Sequence, residues 1–429
     1  MEIERLYEIF KQHPTITTDT RNCPKDSIFF ALKGANFNGN EYAAKAIELG
    51  CSYAIVDEAK FADKSKNILL VDDTLKTLQD LAHLHRSKFT IPVIAITGSN
   101  GKTTSKELIT AVLAKEFDVL STQGNLNNHI GVPLTLLKMS KKHEIAVIEM
   151  GASHVGEIKV LAEIADPTFG LITNIGHAHI EGFGSYENII KTKSELYDYI
   201  RTRKDGKIFI DANNELLVGL SDGLTTIQYG QGEGLFVRGK VVSNDPYMSF
   251  IWQFSKDDHL VRTHLIGEYN LSNVLAAVTI GKYFGVKKVK INEAITDYIP
   301  TNNRSQLKKT AKNTLVIDAY NANPTSMNAA LQNFVKLAIP NKAVILGDMR
   351  ELGPDAAMEH QTIVDLVTSN GIKDAFFIGE NFNRTHTDLP KFKDLETFLS
   401  YLKEKPLVDK NILIKGSRGI QLEKCVDLL

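Results

Sequence analysis

The sequence is poor in cysteine. Cys23, Cys51 and Cys425 are the only three in 429 residues, and they stand far apart, in no metal-ligand or redox spacing. Long apolar runs are missing too: no stretch approaches the length that crosses a bilayer, and the opening MEIERLYEIFKQH is too charged for a signal peptide. A reducing cytoplasm is the expected compartment. Neither sign of charge is in excess. The formal net charge of −1 gives no argument for nucleic acid or an anionic membrane as partner. No internal repeat and no low-complexity tract interrupts the chain.

What is present is a repeated alternation of strand and helix. At about 150 residues per domain, the length suggests roughly three domains, each able to bury its own core. Residues 1–88 hold three strand-like runs (SIFFALKG, CSYAIVDE, NILLVDD) and two helical ones (NEYAAKAIELG, LKTLQDLAHLHRS), a small α/β unit. Residues 89–301 start a second series with VIAITGSNGKTTSKE, EIAVIEMGAS and TFGLITNIG, whose strands end in small or polar residues, where open α/β sheets place ligands. Between about Thr225 and Phe254 the composition turns to short β-like pieces, read as hairpins appended to this domain. Residues 302–429 carry a third series. The predicted fold is α/β in three domains: a central phosphate-loop ATPase-type, mostly parallel sheet with a small appended β piece, and a Rossmann-like C-terminal domain.

The stretch Gly98-Ser99-Asn100-Gly101-Lys102-Thr103-Thr104 lies between an apolar strand and a helix with apolar spacing. The longer phosphate-loop pattern needs glycine at position 96, where Ile96 stands. A cradle does not need that spacing. Glycines let the backbone turn its amides toward an anion, and the helix N-terminus adds positive potential. Lys102 would then reach the β and γ phosphates of ATP, and the Thr103 hydroxyl would ligate magnesium. The plain alternative is a glycine turn with a surface lysine.

Three further clusters carry possible chemistry. Glu149 ends a buried strand and is placed like a magnesium ligand, although a strand-end carboxylate capping a helix would read the same. TNIGHAHIEGFGS alternates His177, His179 and Glu181; a zinc site is conceivable, and a hard-metal or substrate contact from His179 fits better. On a helix, Ile189, Lys193, Leu196 and Ile200 form one stripe, so Lys193 faces inward while Lys191 need not. An inward lysine ordinarily snorkels or pairs with an acid. Desolvation would also favour the neutral amine, which can take up carbon dioxide as a carbamate, a carboxylate on a long arm.

The loop, GNLNNHIGVPLTLL, EMGAS, TNIGHAHIEGFGS, KSELY, IGEYNLSNVLAAV, DAYNANPTSM, LGDMRELG and KGSRGIQLE occur in the order and approximate spacing of the Mur ligases. The chain resembles that family over essentially its whole length. DAYNANPTSM, LGDMRELG and KGSRG resemble the branch that adds a dipeptide rather than a single amino acid.

The resemblance implies an amide ligase that uses ATP and magnesium to activate a carboxylate as an acyl phosphate, which an amine then attacks. Its implied partners are UDP-N-acetylmuramoyl-tripeptide and D-alanyl-D-alanine, in cytoplasmic peptidoglycan precursor synthesis, with the enzyme a monomer and no membrane insertion. Lys102, His179 and Lys193 are the implied catalytic groups. Gly98 to Thr104, Asn273, Arg304 and Asp318 are implied for ATP, and Thr103, Glu149, His179 and carbamylated Lys193 for magnesium. Substrate contacts are implied for Thr20, Arg21, Lys33, Gly34, Asn127, Asn128, Tyr320, Asn321 and Asn323. Two positions depart from the family pattern: Tyr269 stands where histidine is common and His177 where glutamate is common, so position 177 is given no role. A sister ligase adding one amino acid, a folylpolyglutamate synthetase, a nucleotide-dependent switch and a non-catalytic scaffold are the competing readings.

Overall fold

The computed structural model describes residues 2–255, 257–301 and 303–429. Met1, Lys256 and Asn302 lie outside the described residues, and with Asn302 the expected first residue of the C-terminal domain. The described residues form sheets of four, nine and six strands and one two-stranded ribbon.

The first sheet runs Ile16–Thr17, Ile28–Phe30, Tyr53–Val56, Ile68–Leu70, all parallel. Alternate side chains serve two cores, as the strand period requires. Phe29, Ala54 and Val56 pack with Ala43 and Ala46 of the helix Ala43–Glu48. Ile28, Phe30 and Ile55 face the helices Ile3–Gln12 and Thr74–Arg86. The second of these helices also packs against the next unit. Its His85 Nε2 lies 2.8 Å from Met139 O, and the buried Arg86 guanidinium donates to the carbonyls of Ala165 and Asp166, both at 3.1 Å. One apolar core therefore continues across the boundary expected at residue 88.

In the central sheet, Val93–Thr97 is flanked by Ile145–Glu149 and Phe169–Ile172, both parallel to it. The chain leaves Val93–Thr97 toward one edge and returns on the other side of it, which opens a crevice at the carboxyl ends of these strands. The expected hairpins are present and continue the same sheet. Thr225–Gly230 pairs parallel with Lys207–Asp211, Val237–Asn244 follows in parallel, and Met248–Phe254 and Asp257–Arg262 close the edge antiparallel. Their inner face, with Phe250 and Trp252 fully buried, packs in the same core as Leu275 and Val278. Those two belong to the helix Leu271–Tyr283, apolar nearly all round and correspondingly buried. It lies against Lys102–Leu113, the helix that follows the glycine loop.

The third sheet is ordered Gln306–Lys309, Thr314–Asp318, Asn411–Lys415, Lys342–Gly347, Asp374–Ile378, Lys391–Phe392, with only the first strand antiparallel. Helices on both faces bury separate apolar cores. Asp318 and Lys415 are register partners at adjacent strand ends, the ends that meet the central unit.

Candidate active site

A cavity of about 1010 Å³ opens between the carboxyl ends of the central and C-terminal sheets. Ser99, Asn100 and Gly101 of the glycine loop line it. Ile96 is a fully buried strand residue, so the turn begins only at Gly98 and the helix starts at Lys102. Two glycines are obligatory here. Gly98 (φ 141°) would place a Cβ 2.1 Å from Thr173 Oγ1, and Gly101 (φ 79°) would place one 2.6 Å from Asn273 Oδ1. The loop is locked from the neighbouring strand end: Ser99 N donates to Asn174 O at 2.9 Å, Asn100 N to Asn174 Oδ1 at 3.0 Å, and Thr173 Oγ1 to Asn100 O at 2.6 Å. Gly101 offers no side-chain cap, which leaves the first amides of a twelve-residue helix for a ligand in the cavity.

Lys102 folds back over this loop, donating to Gly98 O at 2.7 Å and Ser99 O at 3.1 Å. Burial pushes its ammonium below the ordinary value, against the pull of Glu149 and with a smaller push from Arg304. Glu149 sits at the end of the adjacent strand. Its Oε1 accepts from Thr103 Oγ1 at 3.1 Å and from Asn127 Nδ2 at 2.8 Å, while its buried Oε2 has no hydrogen-bond partner. A buried carboxylate oxygen without a donor is a place for a cation.

Lys193 is on the inward stripe: Ile189, Lys193, Leu196 and Ile200 are all buried and Lys191 is exposed. Its Nζ is 3.5 Å from Ala152 O and 5.3 Å from the Phe183 ring centre. Desolvation, reinforced by the Lys102 cation, lowers its pKa to about 7. His179 begins the short helix Ile180–Phe183 with left-handed backbone, and burial favours its neutral ring over the pull of Glu351, whose carboxylate meets Nδ1. Lys102 and His179 line the cavity and Lys193 does not; the charges of both lysines disfavour protonation of His179.

The opposite wall comes from the C-terminal sheet. The Arg304 guanidinium lies 3.7 Å above the Tyr320 ring, with its buried Nε unpartnered. Asp318 accepts from Ser305 N at 3.2 Å and from the buried Lys415 Nζ at 2.5 Å. Asn321 receives Lys415 Nζ on its carbonyl at 3.3 Å. Asn323 caps the helix Pro324–Lys336 and reaches Asn100.

Some expected residues take other positions. Asn273 lines the cavity, but its amide is engaged locally, accepting from Ser105 Oγ at 3.0 Å and donating to Asn270 Oδ1 at 2.9 Å. Asn128 lines the cavity too, with its oxygen accepting from Ile130 N and Gly131 N. Thr20, Arg21, Lys33 and Gly34 do not line the cavity; Arg21 forks onto Asp19, and Lys33 pairs with Asp57 at 2.8 Å and Glu58 at 3.3 Å. The first unit reaches the cavity instead through Leu75 and Gln79, which sequence reading took only as helix. His177 stacks on Tyr186 at 4.5 Å, and Tyr269, lining the cavity, bonds Ser305 Oγ at 3.0 Å.

A lysine and threonine after a strand-borne glycine loop, a strand-end carboxylate beside them and a second α/β sheet closing the crevice define a phosphate-loop nucleotide enzyme built from several domains. Residues 96–281 match the Mur ligase middle domain and 303–418 the Mur ligase, glutamate ligase domain. The chain belongs to the Mur ligase family. It is 34% identical over 431 residues to the UDP-N-acetylmuramoyl-tripeptide–D-alanyl-D-alanine ligase of Bacillus subtilis (strain 168), covering 96% of this chain and 92% of that one. It is 32% identical to the ligase of the same name from Haemophilus influenzae, again over 96% and 92%. Among solved structures, MurF from Acinetobacter baumannii superposes with a TM-score of 0.88 at 29% identity, over 99% of this chain and 98% of that one.

Proposed function

We infer that this protein is the ATP-dependent ligase that joins D-alanyl-D-alanine to UDP-N-acetylmuramoyl-tripeptide, in the cytoplasm and as a monomer. The observation that carries the reading is the cavity itself: Lys102, Thr103, Glu149 and His179 face Arg304, Asp318, Tyr320 and Asn323 across one open cleft, and Lys193 reaches its wall at Ala152 O, 3.5 Å from its Nζ. The sequence relatives above support the choice of substrates.

A carboxylate and an amine do not condense in water until one carboxyl oxygen becomes a good leaving group. ATP supplies that activation: the tripeptide carboxylate attacks the γ-phosphorus as the bond to ADP breaks, and the dipeptide amine then displaces phosphate from the acyl carbon. The helix amides and Lys102 hold the phosphates, and Lys102 must leave Gly98 O and Ser99 O to do so. Thr103 and Glu149 suit one magnesium, since Glu149 Oε2 has no other partner. Lys193, half neutral near pH 7, suits carbamylation, in which the amine adds to carbon dioxide and sheds one proton; the carbamate and neutral His179 would hold a second magnesium. Bound magnesium lowers the repulsion between phosphates and carboxylate. Arg304 and Asp318 close over the nucleotide, and closure keeps water from the acyl phosphate. Asn127 holds Glu149 in place, and Tyr320 and Asn321 line the dipeptide side. Residues 1–88, with Thr20, Arg21, Lys33 and Gly34, hold the uridine sugar, 89–301 the ATP, and 302–429 the closing wall.

The test is direct. Purified protein with ATP, magnesium, D-alanyl-D-alanine and UDP-muramoyl peptides of different length should give, by mass, the amide of a tripeptide acceptor. Product with the shorter acceptors alone would move the assignment to a sister ligase.

A further inference from the structure

The loop that follows the strand Lys342–Gly347 contains Glu351, which none of the roles above uses. We propose that Glu351 is a positioning residue that ties docking of the C-terminal domain to the cation site around His179. Its carboxylate Oε2 meets His179 Nδ1, and its carbonyl accepts from Glu181 N at 3.1 Å. Both members of the pair have left-handed backbone, His179 at φ 56° and Glu351 at φ 63°, a conformation uncommon for such residues and sustained only where the surroundings impose it.

The surroundings of Glu351 do impose it. Met349 N donates to His360 Nε2 at 3.0 Å and Arg350 N to Ser417 Oγ at 3.0 Å, while Met349 and Leu352 are buried. The carboxylate is thus carried on a fixed loop. An exposed ion pair by itself contributes little. Its consequence here is orientation. A neutral imidazole has one N–H, and with Glu351 accepting from Nδ1 the lone pair is left on Nε2. Carboxylates that hold a metal-binding histidine from behind fix its ring and raise its basicity. Because Glu351 and His179 belong to different sheets' units, the ligand is oriented only while the two units touch.

This rests on the reading that His179 serves a cation, and the experiment separates the two. Manganese binding is measured by the electron paramagnetic resonance of free Mn²⁺, with protein saturated by a non-hydrolysable ATP analogue and the UDP-tripeptide. The wild type should bind two ions. Glu351→Ala should weaken one of them about tenfold and leave the other unchanged, with Glu351→Gln, which keeps length and an acceptor but not charge, in between. Two ions bound with wild-type affinity in Glu351→Ala would overturn the role of Glu351; if that variant does not fold, wild-type affinity in Glu351→Gln does so. A single ion in the wild type would instead remove the assignment of His179 on which the role depends.

Discussion

Asn323 donates its Nδ2 to Asn100 Oδ1 at 2.8 Å, so the cap of a C-terminal helix touches the phosphate loop of the central unit. The same side chain accepts from Ser326 N at 2.9 Å in a capping box. One residue thus serves local stability and the contact between units, and substitutions can part them. Asn323→Ser keeps an oxygen for the cap but is too short for Asn100. It should melt near the wild type and turn over about tenfold slower, since a slight misplacement of reacting groups costs that order. Asn323→Ala should lose about 1 kcal/mol of stability as well. Melting curves and kcat decide, and an unchanged kcat in Asn323→Ser would mean the contact is incidental.

Lys102 is half-buried at the cavity wall, and the folded protein disfavours its charge. Replacing it should therefore have opposite effects on turnover and stability. Lys102→Met removes the cation that meets the γ-phosphate, a loss of about a hundredfold to a thousandfold in rate. It also relieves a desolvated ammonium and should raise the melting temperature. Near-normal ligation by the folded variant would refute the phosphate-loop assignment.

His360, fully buried, carries the loop of Glu351. Its Nδ1 lies 2.6 Å from Ala356 O and its Nε2 accepts from Met349 N at 3.0 Å, an arrangement open only to the neutral ring. Burial lowers its pKa, outweighing the Ala356 carbonyl and the Asp348 carboxylate. The sign follows. A histidine whose folded pKa lies below its unfolded value of about 6.5 contributes fully above that pH, and its contribution declines as pH falls toward the folded value, at up to about 1.4 kcal/mol per unit. His85 shifts in the same direction. Denaturant unfolding at pH 7.5 and 5.5 should show a stability loss that is smaller in His360→Gln. Equal losses in the two proteins would contradict this account.

Local pattern revealed much of this site, because its pieces are short in sequence. The strand, glycine loop and helix around Lys102 span a few residues, and the Lys193 stripe obeys helical spacing that packing preserved. Glu149 was legible as a strand end, but its clamp by Asn127 was not, since only the fold brings those residues together. The links between units were equally invisible: Asn323 with Asn100 and Glu351 with His179 are separated by 223 and 172 positions. Asn273 shows the limit from another side. The family resemblance implied an ATP contact for it, whereas packing against Gly101 commits its amide to Ser105 and Asn270. The hairpins after Thr225 were readable as β structure, and their union with the central sheet depends on the short parallel pairing of Tyr229 with Val237, which no periodicity announces.

Lys193 yields the sharpest chemical test. With a pKa of about 7, roughly half of its amine is neutral at that pH, and more as pH rises. Carbon dioxide adds only to the neutral form, so activity in buffer stripped of carbon dioxide should fall, fall further as pH drops below about 7, and return with bicarbonate. Lys193→Ala removes the carbamate while Ile189, Leu196 and Ile200 keep the helix seated. Its ligation rate should drop strongly, and acetate or formate, entering the vacated space, should restore part of it in proportion to concentration at fixed ionic strength. Lys191→Ala, from the exposed face of the same helix, should behave as wild type. A structural lysine predicts the reverse pattern: lower stability, full activity without added acid, and no response to bicarbonate. Full activity of Lys193→Ala in the absence of any small acid therefore rejects the carbamate, whereas missing rescue alone does not, because the surrounding Phe183 and Leu196 can close over the space left behind.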